Sequence, residues 1–481
     1  MDYKSVFKFI SIIGMWLSLF LLLPVLIGWA YQENYTPFLI FISSLFTINL
    51  IIFLSLYKHK INLKIKESIL SVNLIWFLLG IAGGIPLVLT TGVSFADGFF
   101  EAISGFTTTG ATIYTDIESL PKMVLFHRSL MHWLGGMGII VLGVGLFSII
   151  NPTGSMSLFK AESTGVQMQK LMPKIKDNAM TLWLIYLFFT LLDALLLDMA
   201  GMEKFDALNH AFSTISTGGF STKNASLGFW ANNDAVIWIT TFFMTISGIN
   251  FMAHLKLYYN DGSGYKSEEV KSYLLLLILL SLILTLIHWH LSEMSFYESL
   301  KHSFFTISSI LTTTGFASLD YETWGNAAAA IVMIAMLIGA NAGSTAGGVK
   351  VIRYVIIIKV LIAEMKKTLH PNAVITVFFE KTKLKKSVLF SIFGFMFLYF
   401  LTVTITSFYL YIRGFDSLTS LTAALATVGN IGPGFGEIGP ADNFSFFSWY
   451  DKIVLSVSMI IGRLECYTFF IIFMRDFWRK F

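Results

Sequence analysis

The chain has 481 residues, of which 55% are hydrophobic and only 13% charged, and its formal net charge is +4. This composition is far too apolar for a soluble domain of that length. Its single cysteine, Cys466, excludes intrachain disulfides and argues against a thiolate metal cluster. The composition therefore predicts an integral membrane protein.

Ten apolar runs, each long enough to cross roughly 30 Å of hydrocarbon, recur along the chain. The first follows Lys4 and Lys8 as a signal peptide would, but it is too long and has no clear small-residue cleavage site, so we expect a retained helix. The runs are residues 10–30, 37–57, 69–91, 123–150, 179–200, 234–257, 272–289, 327–362, 387–411 and 452–474.

Charge alternates between the loops that join these runs. Lysines cluster in three of them: Lys58, Lys60, Lys64 and Lys66; Lys160, Lys170, Lys174 and Lys176; Lys366, Lys367, Lys381, Lys383, Lys385 and Lys386. The opposite loops carry Glu33, Asp116, Glu118, Glu203, Asp320, Glu322, Glu437 and Asp442. The positive-inside rule places the lysine-rich loops and both termini in the cytoplasm. Because flanking lysines orient any membrane protein, they do not indicate a nucleic-acid partner.

Four segments too short to span lie between apolar runs and repeat one pattern. They are DGFFEAISGFTTTGAT from Asp97, DALNHAFSTISTGGFS from Asp206, HSFFTISSILTTTGFAS from His302 and DSLTSLTAALATVGNIG from Asp416. Each has Thr-x-Gly in the same register, which ends at Gly110, Gly219, Gly315 and Gly429. One such tripeptide carries no information, whereas four in phase indicate an internal repeat.

The pattern has a physical interpretation. Asp is a good helix N-cap, and about ten helical residues reach about 15 Å, or half the bilayer. Irregular backbone at that depth survives only where it lines water or is buried in protein. Glycine permits carbonyls to turn toward an axis, where four loops replace a cation's hydration shell. Helix packing by small residues is the alternative, and it is disfavoured because four segments share one register.

The sequence thus predicts an all-α polytopic membrane protein with four pseudo-symmetric helix, pore-loop, helix repeats around one pore, preceded by two extra helices. We place these units at residues 1–66 (two helices), 67–155, 156–262, 263–368 and 369–481. The predicted ion-binding filter consists of Thr108, Thr109, Gly110, Ala111, Thr217, Gly218, Gly219, Phe220, Thr313, Thr314, Gly315, Phe316, Thr427, Val428, Gly429 and Asn430.

The eighth apolar run contains four glycines within ten residues, from Gly339 to Gly348. Each costs about 1 kcal/mol relative to alanine in a helix, so an unwound stretch is expected at membrane depth, where it marks an ion site or a moving part. A close helix crossing at small residues is the alternative. A phosphate-binding P-loop is excluded because Val349 stands where the lysine belongs.

Arg463 lies in the last apolar run. A charge at that depth costs about 2.5 to 3.5 kcal/mol, so it needs a partner or a water-filled cavity. Glu465 is two residues away, or about 200° around a helix, so an intrahelical pair is not expected. We expect Arg463 to face the pore and Glu465 to face a neighbouring helix or the unwound stretch. A buried structural ion pair is the alternative for Arg463.

Together with the four loops, three phrases resemble the Trk/Ktr/HKT superfamily of potassium transporters. They are HWLGGMGIIVLGVG from His132, GANAGSTAGGVK from Gly339 and IGRLECY from Ile461. The resemblance covers essentially the whole chain, and the two leading spans resemble the TrkH-type branch. The fourth loop departs from the others, since Val428 replaces a threonine and Asn430 follows.

The resemblance implies potassium uptake in a bacterial cytoplasmic membrane by a homodimer with a TrkA-like cytoplasmic nucleotide-binding subunit. It also implies that the glycine-rich stretch is a gate and that Arg463 is a barrier under the filter. The implied gate residues are Asn341, Gly343, Ser344, Thr345, Gly347, Gly348 and Arg463.

Other functions fit the sequence less well. An enzyme is disfavoured because neither His-Glu-x-x-His nor Gly-x-Ser-x-Gly occurs. An alternating-access carrier is disfavoured because the repeat is fourfold and only one span is plainly broken. A sodium-permeable or ion-coupled symporter of the same fold stays open. In the HKT branch a serine in place of a filter glycine is associated with Na⁺ passage, and all four glycines here favour K⁺.

Overall fold

The computed structural model describes residues 1–141, 175–380 and 382–479, and this part of the chain is mostly helical. One short antiparallel hairpin, β1 (Phe378–Phe379) and β2 (Thr382–Lys383), is present as well. In chain order the helices are α1 (Tyr3–Phe20), α2 (Leu22–Ala30), α3 (Thr36–Ser55), α4 (Ile65–Thr91), α5 (Phe95–Phe106), α6 (Lys122–Val141), α7 (Ile175–Met199), α8 (Lys204–Ile215), α9 (Asp234–Ser247), α10 (Phe251–Tyr258), α11 (Glu268–Leu291), α12 (Phe296–Leu311), α13 (Asn326–Leu337), α14 (Val351–Leu369), α15 (Lys386–Ile412), α16 (Ser417–Val428), α17 (Trp449–Arg463), α18 (Tyr467–Phe470) and α19 (Arg475–Trp478).

Six helical segments of the described chain are long and apolar enough to cross a membrane, or up to eight if each of two bent pairs counts as one span. Large apolar side chains such as Ile40 and Phe397 are exposed on them, as lipid contact requires. The predicted all-α, multi-pass architecture is confirmed. The end of the fourth apolar run and the lysines Lys160, Lys170 and Lys174 lie outside the described residues, as does Lys381.

Four short helices, α5, α8, α12 and α16, lie between the longer ones and are largely buried; we call them pore helices. Their predicted first residues are only partly right. Asp416 is an N-cap and accepts hydrogen bonds from the backbone of Leu418 and Thr419. Asp97 is the third residue of α5, where it forms a capping box with Ser94. Two of these helices, α5 and α12, begin earlier than the repeated segments, because Ser94 and Ser295 upstream act as their N-caps.

His302 lies well inside α12, whose N-cap is Ser295, and Asp206 is the third residue of α8, whose N-cap is Glu203. Helix α12 therefore begins before His302, the residue that opens the third repeated segment. The buried His302 ring instead contacts the Ser318 hydroxyl at 2.9 Å, beyond the loop that follows the helix. Asp206 likewise accepts a hydrogen bond from Thr222 at 2.8 Å. These residues tie each pore helix to its own loop rather than starting it.

Three of the helices that follow pore helices are broken. Helices α9 and α10 meet at 92°, and α17 and the short helices from Tyr467 to Phe473 meet at 112°. Residues 338–350, which we call the intramembrane loop, separate α13 from α14. The expectation of a single broken span is thus wrong, although the break predicted in the eighth run is present.

Candidate ion pathway

The same backbone turn follows each pore helix. A non-glycine residue adopts a left-handed conformation, the next residue donates its N–H to the carbonyl five residues earlier, and a glycine with positive φ follows. The left-handed residues and glycines are Thr108 (54°) and Gly110 (83°), Thr217 (54°) and Gly219 (87°), Thr313 (56°) and Gly315 (81°), and Asn430 (54°) and Gly432 (100°). The donors are Thr109, Gly218, Thr314 and Ile431, with N···O distances of 2.7 to 2.8 Å.

These turns meet in a closed ring. A β-carbon added to any of the four glycines would lie closer than 3.0 Å to a carbonyl oxygen of the next turn. The neighbouring oxygens belong to Gly218 for Gly110, Thr314 for Gly219, Ile431 for Gly315 and Thr109 for Gly432, which returns to the first turn. We call Gly110, Gly219, Gly315 and Gly432 the glycine ring. Only glycine fits here, because both the backbone angle and the space exclude a side chain.

The fourth turn lies three residues later than the sequence pattern predicted. Thr427 and Val428 form the last turn of α16, and Gly429 caps that helix with φ of −76°. The segment equivalent to Thr108–Ala111 is Asn430–Pro433. Of the four residues predicted for this loop, only Asn430 belongs to the turn. The signal that finds the correct register is the helix start, because Gly110, Gly219 and Gly432 each lie 16 residues after an N-cap.

The left-handed residues are Thr108, Thr217, Thr313 and Asn430, and all four are completely buried. This conformation costs about 1 to 3 kcal/mol for a non-glycine residue, and such strain concentrates at functional sites. Because this strained conformation occurs four times around one ring, it indicates a functional site. A cavity of about 120 Å³ lies against the ring and is lined by all four of its glycines.

A buried ion pair braces the first two turns. Arg128 Nε donates to Glu101 Oε1 at 2.7 Å, and both side chains are at most 1% exposed. Glu101 also accepts the backbone N–H of Ile113 at 2.9 Å, while Arg128 donates to the carbonyl of Ser221 at 3.2 Å and stacks over the Phe220 ring. Each residue thus holds the chain that leaves a different turn.

We expect Glu101→Gln to lower the free energy of unfolding by about 3 to 5 kcal/mol, because it leaves the Arg128 charge buried without its counter-ion. The measurement is the thermal unfolding midpoint in detergent. Glu203→Gln, which removes an exposed partner of Lys122, is the matched control and should cost at most about 1 kcal/mol. Equal shifts for both variants would contradict a bracing role.

The third and fourth turns are joined by two side chains that follow the third turn and bind backbone groups that follow the fourth. The Tyr321 hydroxyl donates to the carbonyl of Gly434 at 2.9 Å, and Glu322 accepts the N–H of Gly436 at 2.6 Å. Burial raises the pKa of the Glu322 carboxyl above its usual value. The segments that follow the third and fourth turns are therefore held together by contacts between neighbouring repeats.

The intramembrane loop lies on the other side of the turns and packs against the break between α9 and α10. Asn341 donates its N–H to Gly248 at 3.0 Å, and Phe251 donates to the carbonyl of Gly343 at 2.9 Å. The Thr345 hydroxyl donates to the carbonyl of Ile215, the last residue of α8, at 3.1 Å. Since residues 338–350 are not helical, the alternative of a helix crossing at small residues does not apply.

Arg463 reaches this loop. Its Nη1 donates to the carbonyl of Thr345 at 3.0 Å, while Nε and Nη2 have no hydrogen-bond partner among the described residues. Glu465 pairs with Arg353 of α14 rather than with Arg463, so the alternative of a structural ion pair for Arg463 does not hold within that part of the chain.

Lys350, at the end of the loop, was not singled out by the sequence. It is buried, and its Nζ donates to the carbonyls of Ala346 and Gly347, the latter at 3.1 Å. Its place as the last residue of the phrase GANAGSTAGGVK was the available signal. Lys350 and Arg463 together satisfy three carbonyls of a loop whose own backbone forms no helix.

Comparison with known proteins places this geometry in context. Residues 38–480 match the TrkH family, described as a cation transport protein. The Trk system potassium uptake protein TrkH of Vibrio parahaemolyticus is 35% identical over 489 residues and all of both chains. TrkG of Escherichia coli is 32% identical over 97% of this chain and 96% of its own. The crystal structure of the potassium transporter TrkH from Vibrio parahaemolyticus matches all of both chains with a TM-score of 0.90 and 33% identity.

Proposed function

The chain belongs to the TrkH family of cation transport proteins, and from that membership we propose that it takes up potassium ions through a channel-like pore. Its relatives are named as transporters, not as enzymes. The observation that carries the proposal is the closed glycine ring, because four backbone turns packed around one ring suit a site where carbonyl oxygens replace the hydration shell of a cation. We place the four repeats at residues 67–155, 156–262, 263–368 and 369–481.

In this proposal the turns form the selectivity filter. Its residues are Thr108, Thr109, Gly110, Ala111, Thr217, Gly218, Gly219, Phe220, Thr313, Thr314, Gly315, Phe316, Asn430, Ile431, Gly432 and Pro433. The pore helices end at the ring, so the negative ends of their dipoles favour a cation there. No resident cofactor is required, and K⁺ is the transported ion.

The intramembrane loop and Arg463 form the gate. Supporting this role, Arg463 is 6% exposed and its Nη1 binds the loop backbone, which keeps a positive charge directly beside the loop. A cation that approaches this charge in a low-dielectric surround is repelled. In this proposal the hydrogen bond between Arg463 and the loop belongs to a closed state, and the loop residues that move on opening are Asn341, Gly343, Ser344, Thr345, Gly347 and Gly348.

A cytoplasmic partner acts on this gate through α14. Helix α14 begins directly after the loop, carries Arg353 and Lys359, and leads to Lys366 and Lys367. We propose that these lysines and the hairpin that follows face the cytoplasm and bind a TrkA-like nucleotide-binding subunit. We also propose, from the resemblance, a homodimer in a bacterial cytoplasmic membrane with both termini inside.

We expect a cysteine at Lys383, which is exposed on the hairpin, to resist an impermeant maleimide added outside intact cells and to react once the cells are opened, because the lysine-rich loops are cytoplasmic. Glu437→Cys, in an exposed outer loop, is the control and should react from outside. Labelling of the Lys383 variant in intact cells would reverse the proposed orientation.

The test of function is ion flux into liposomes that contain the purified chain alone. Potassium uptake driven by a K⁺ gradient, with little Na⁺ uptake under a matched Na⁺ gradient, supports the proposal. Equal fluxes would favour a sodium-permeable pore, and flux that requires a second ion's gradient would favour a symporter of the same fold. Absence of cation flux in either direction would refute the transport proposal for the isolated chain.

A further inference from the structure

The four left-handed residues at the ends of the pore helices occupy equivalent positions, and we call Thr108, Thr217, Thr313 and Asn430 the inner ring. Each carries a side-chain oxygen, three of them hydroxyls and the fourth an amide. None is exposed. Buried polar oxygens normally have hydrogen-bond partners, so the partners of these four show what the position is built to hold.

Two of the four oxygens are engaged by the intramembrane loop. The backbone N–H of Gly347 donates to Thr313 Oγ1 at 2.7 Å. The Thr217 hydroxyl lies 3.2 Å from the Thr345 hydroxyl as a donor, and it also donates to the carbonyl of Ser216 at 2.6 Å. The second and third repeats therefore bind the loop directly through the inner ring.

The other two oxygens have no hydrogen-bond partner among the described residues: Thr108 Oγ1 and Asn430 Oδ1. The Asn430 amide nitrogen is fixed, because it donates to Thr109 Oγ1 at 3.0 Å and to the carbonyl of Met459 at 3.1 Å. This anchoring leaves Oδ1 as a free acceptor in a buried site. An unpaired buried acceptor is costly, and a dehydrated cation satisfies it as a donor would.

The loop also occupies the space next to the free amide oxygen. A β-carbon at Gly347 would lie 3.4 Å from Asn430 Oδ1 and 3.0 Å from Asn430 Cβ. Gly347 is thus placed between Thr313, to which it donates, and Asn430, whose oxygen it leaves unpaired. Movement of Gly347 away from the ring would break its hydrogen bond to Thr313 Oγ1 and would also open the space beside Asn430 Oδ1.

We propose that the inner ring is a monovalent-cation site that is half-formed while the loop is closed and is completed when the loop withdraws. Cation binding at this site and loop closure then compete for the Thr313 oxygen and for the space beside Asn430. Because linkage is reciprocal, an ion on the ring favours the open loop, and an open loop raises the affinity of the ring for the ion. This inference rests on the proposed function and assigns part of the regulation of the same pore to the permeating ion itself.

The test measures loop withdrawal as the reaction rate of a thiol introduced by Ser344→Cys, in a Cys466→Ala background. Ser344 is buried in the closed loop, so its replacement should react slowly with a small cationic thiol reagent in choline chloride. We expect K⁺ at the same ionic strength to raise this rate about fivefold, which is the effect of about one neutral hydrogen bond. A rate that is the same in K⁺ and choline would overturn the proposal.

Ring variants separate the two halves of the site. Thr313→Val removes the acceptor of Gly347 and should raise the rate in choline about fivefold, while Thr313→Ser should restore the slow rate. Thr108→Val removes an oxygen that the loop does not touch, so the rate in choline should stay low while the K⁺ effect shrinks. Thr108→Ser should retain the K⁺ effect. Equal acceleration in choline by both valine variants would contradict the assignment.

Two controls complete the design. A thiol introduced by Ser387→Cys, exposed at the start of α15, should react at a rate that K⁺ does not change. Potassium uptake is measured in liposomes that contain the same protein preparation. Absence of uptake would refute the proposed function. If uptake is present but K⁺ does not change the reaction rate of the loop thiol, only the coupling of the inner ring to the loop is refuted.

Discussion

Replacement of Gly432 by serine is expected to abolish selective potassium uptake, whereas the same replacement at Gly414 should leave it intact. Both glycines have φ of 100°, so both variants carry the same backbone penalty. A β-carbon at Gly432 would lie 2.6 Å from Thr109 O, but one at Gly414 meets nothing within 4 Å. Only the first change must therefore displace the Thr109 carbonyl, which belongs to the proposed filter.

The measurement is the ratio of K⁺ to Na⁺ flux in liposomes at matched protein incorporation. We expect Gly432→Ser to lower the ratio by more than about tenfold, because a displacement that weakens ion binding by about 1.4 kcal/mol already has that effect. Gly110→Ser, in the first turn, should relax selectivity to a similar degree. A Gly432 variant that folds and keeps its K⁺ preference would rule out the assigned fourth register.

Removal of the Arg463 charge is expected to raise the basal potassium flux of the isolated chain. A unit charge about 6 Å from a passing ion, at an effective dielectric constant near 20, raises its barrier by about 3 kcal/mol, which corresponds to about a hundredfold in rate. Arg463→Ala also removes the hydrogen bond to Thr345 O. The ion preference should not change, since the glycine ring is untouched.

Flux in liposomes that contain only this chain is the readout, and Arg475→Ala is the matched control. Arg475 is an exposed arginine at the start of α19, so its loss removes a positive charge without touching the intramembrane loop. Unchanged flux for the control and increased flux for Arg463→Ala are expected. Equal or lower flux for Arg463→Ala would refute its role in the gate.

The repeats and the broken eighth run were predictable because they depend on local composition. Each repeat brings its own short helix and glycine, and four glycines between Gly339 and Gly348 oppose a helix wherever they lie. The fourth register was not predictable from Thr-x-Gly alone, because Thr427 and Gly429 reproduce the motif by coincidence inside and at the end of α16. The length of that helix, counted from its N-cap, places the turn.

The two other breaks have weaker local signals. Between α9 and α10 the local signals are Gly248 and Asn250, the N-cap of α10, and the intramembrane loop hydrogen-bonds to the break. After α17 the left-handed residues are Glu465 and Cys466, neither of which favours that conformation, and Glu465 is held by Arg353 of a distant helix. Tertiary contacts contribute to both bends, so the residues nearby indicate them less clearly than the four glycines indicate the break in the eighth run.

The interlocking of the intramembrane loop with the α9–α10 break bears on how the chain assembles in a membrane. Asn341 bonds to Gly248, and Phe251 bonds to Gly343, so each irregular segment supplies hydrogen-bond partners to the other. Exposed to lipid alone, each unpaired backbone group would cost several kcal/mol. The backbone groups of the intramembrane loop therefore lack these partners in the bilayer until the second repeat has been inserted and has bent between α9 and α10. Synthesis from the N-terminus delivers the two repeats in that order.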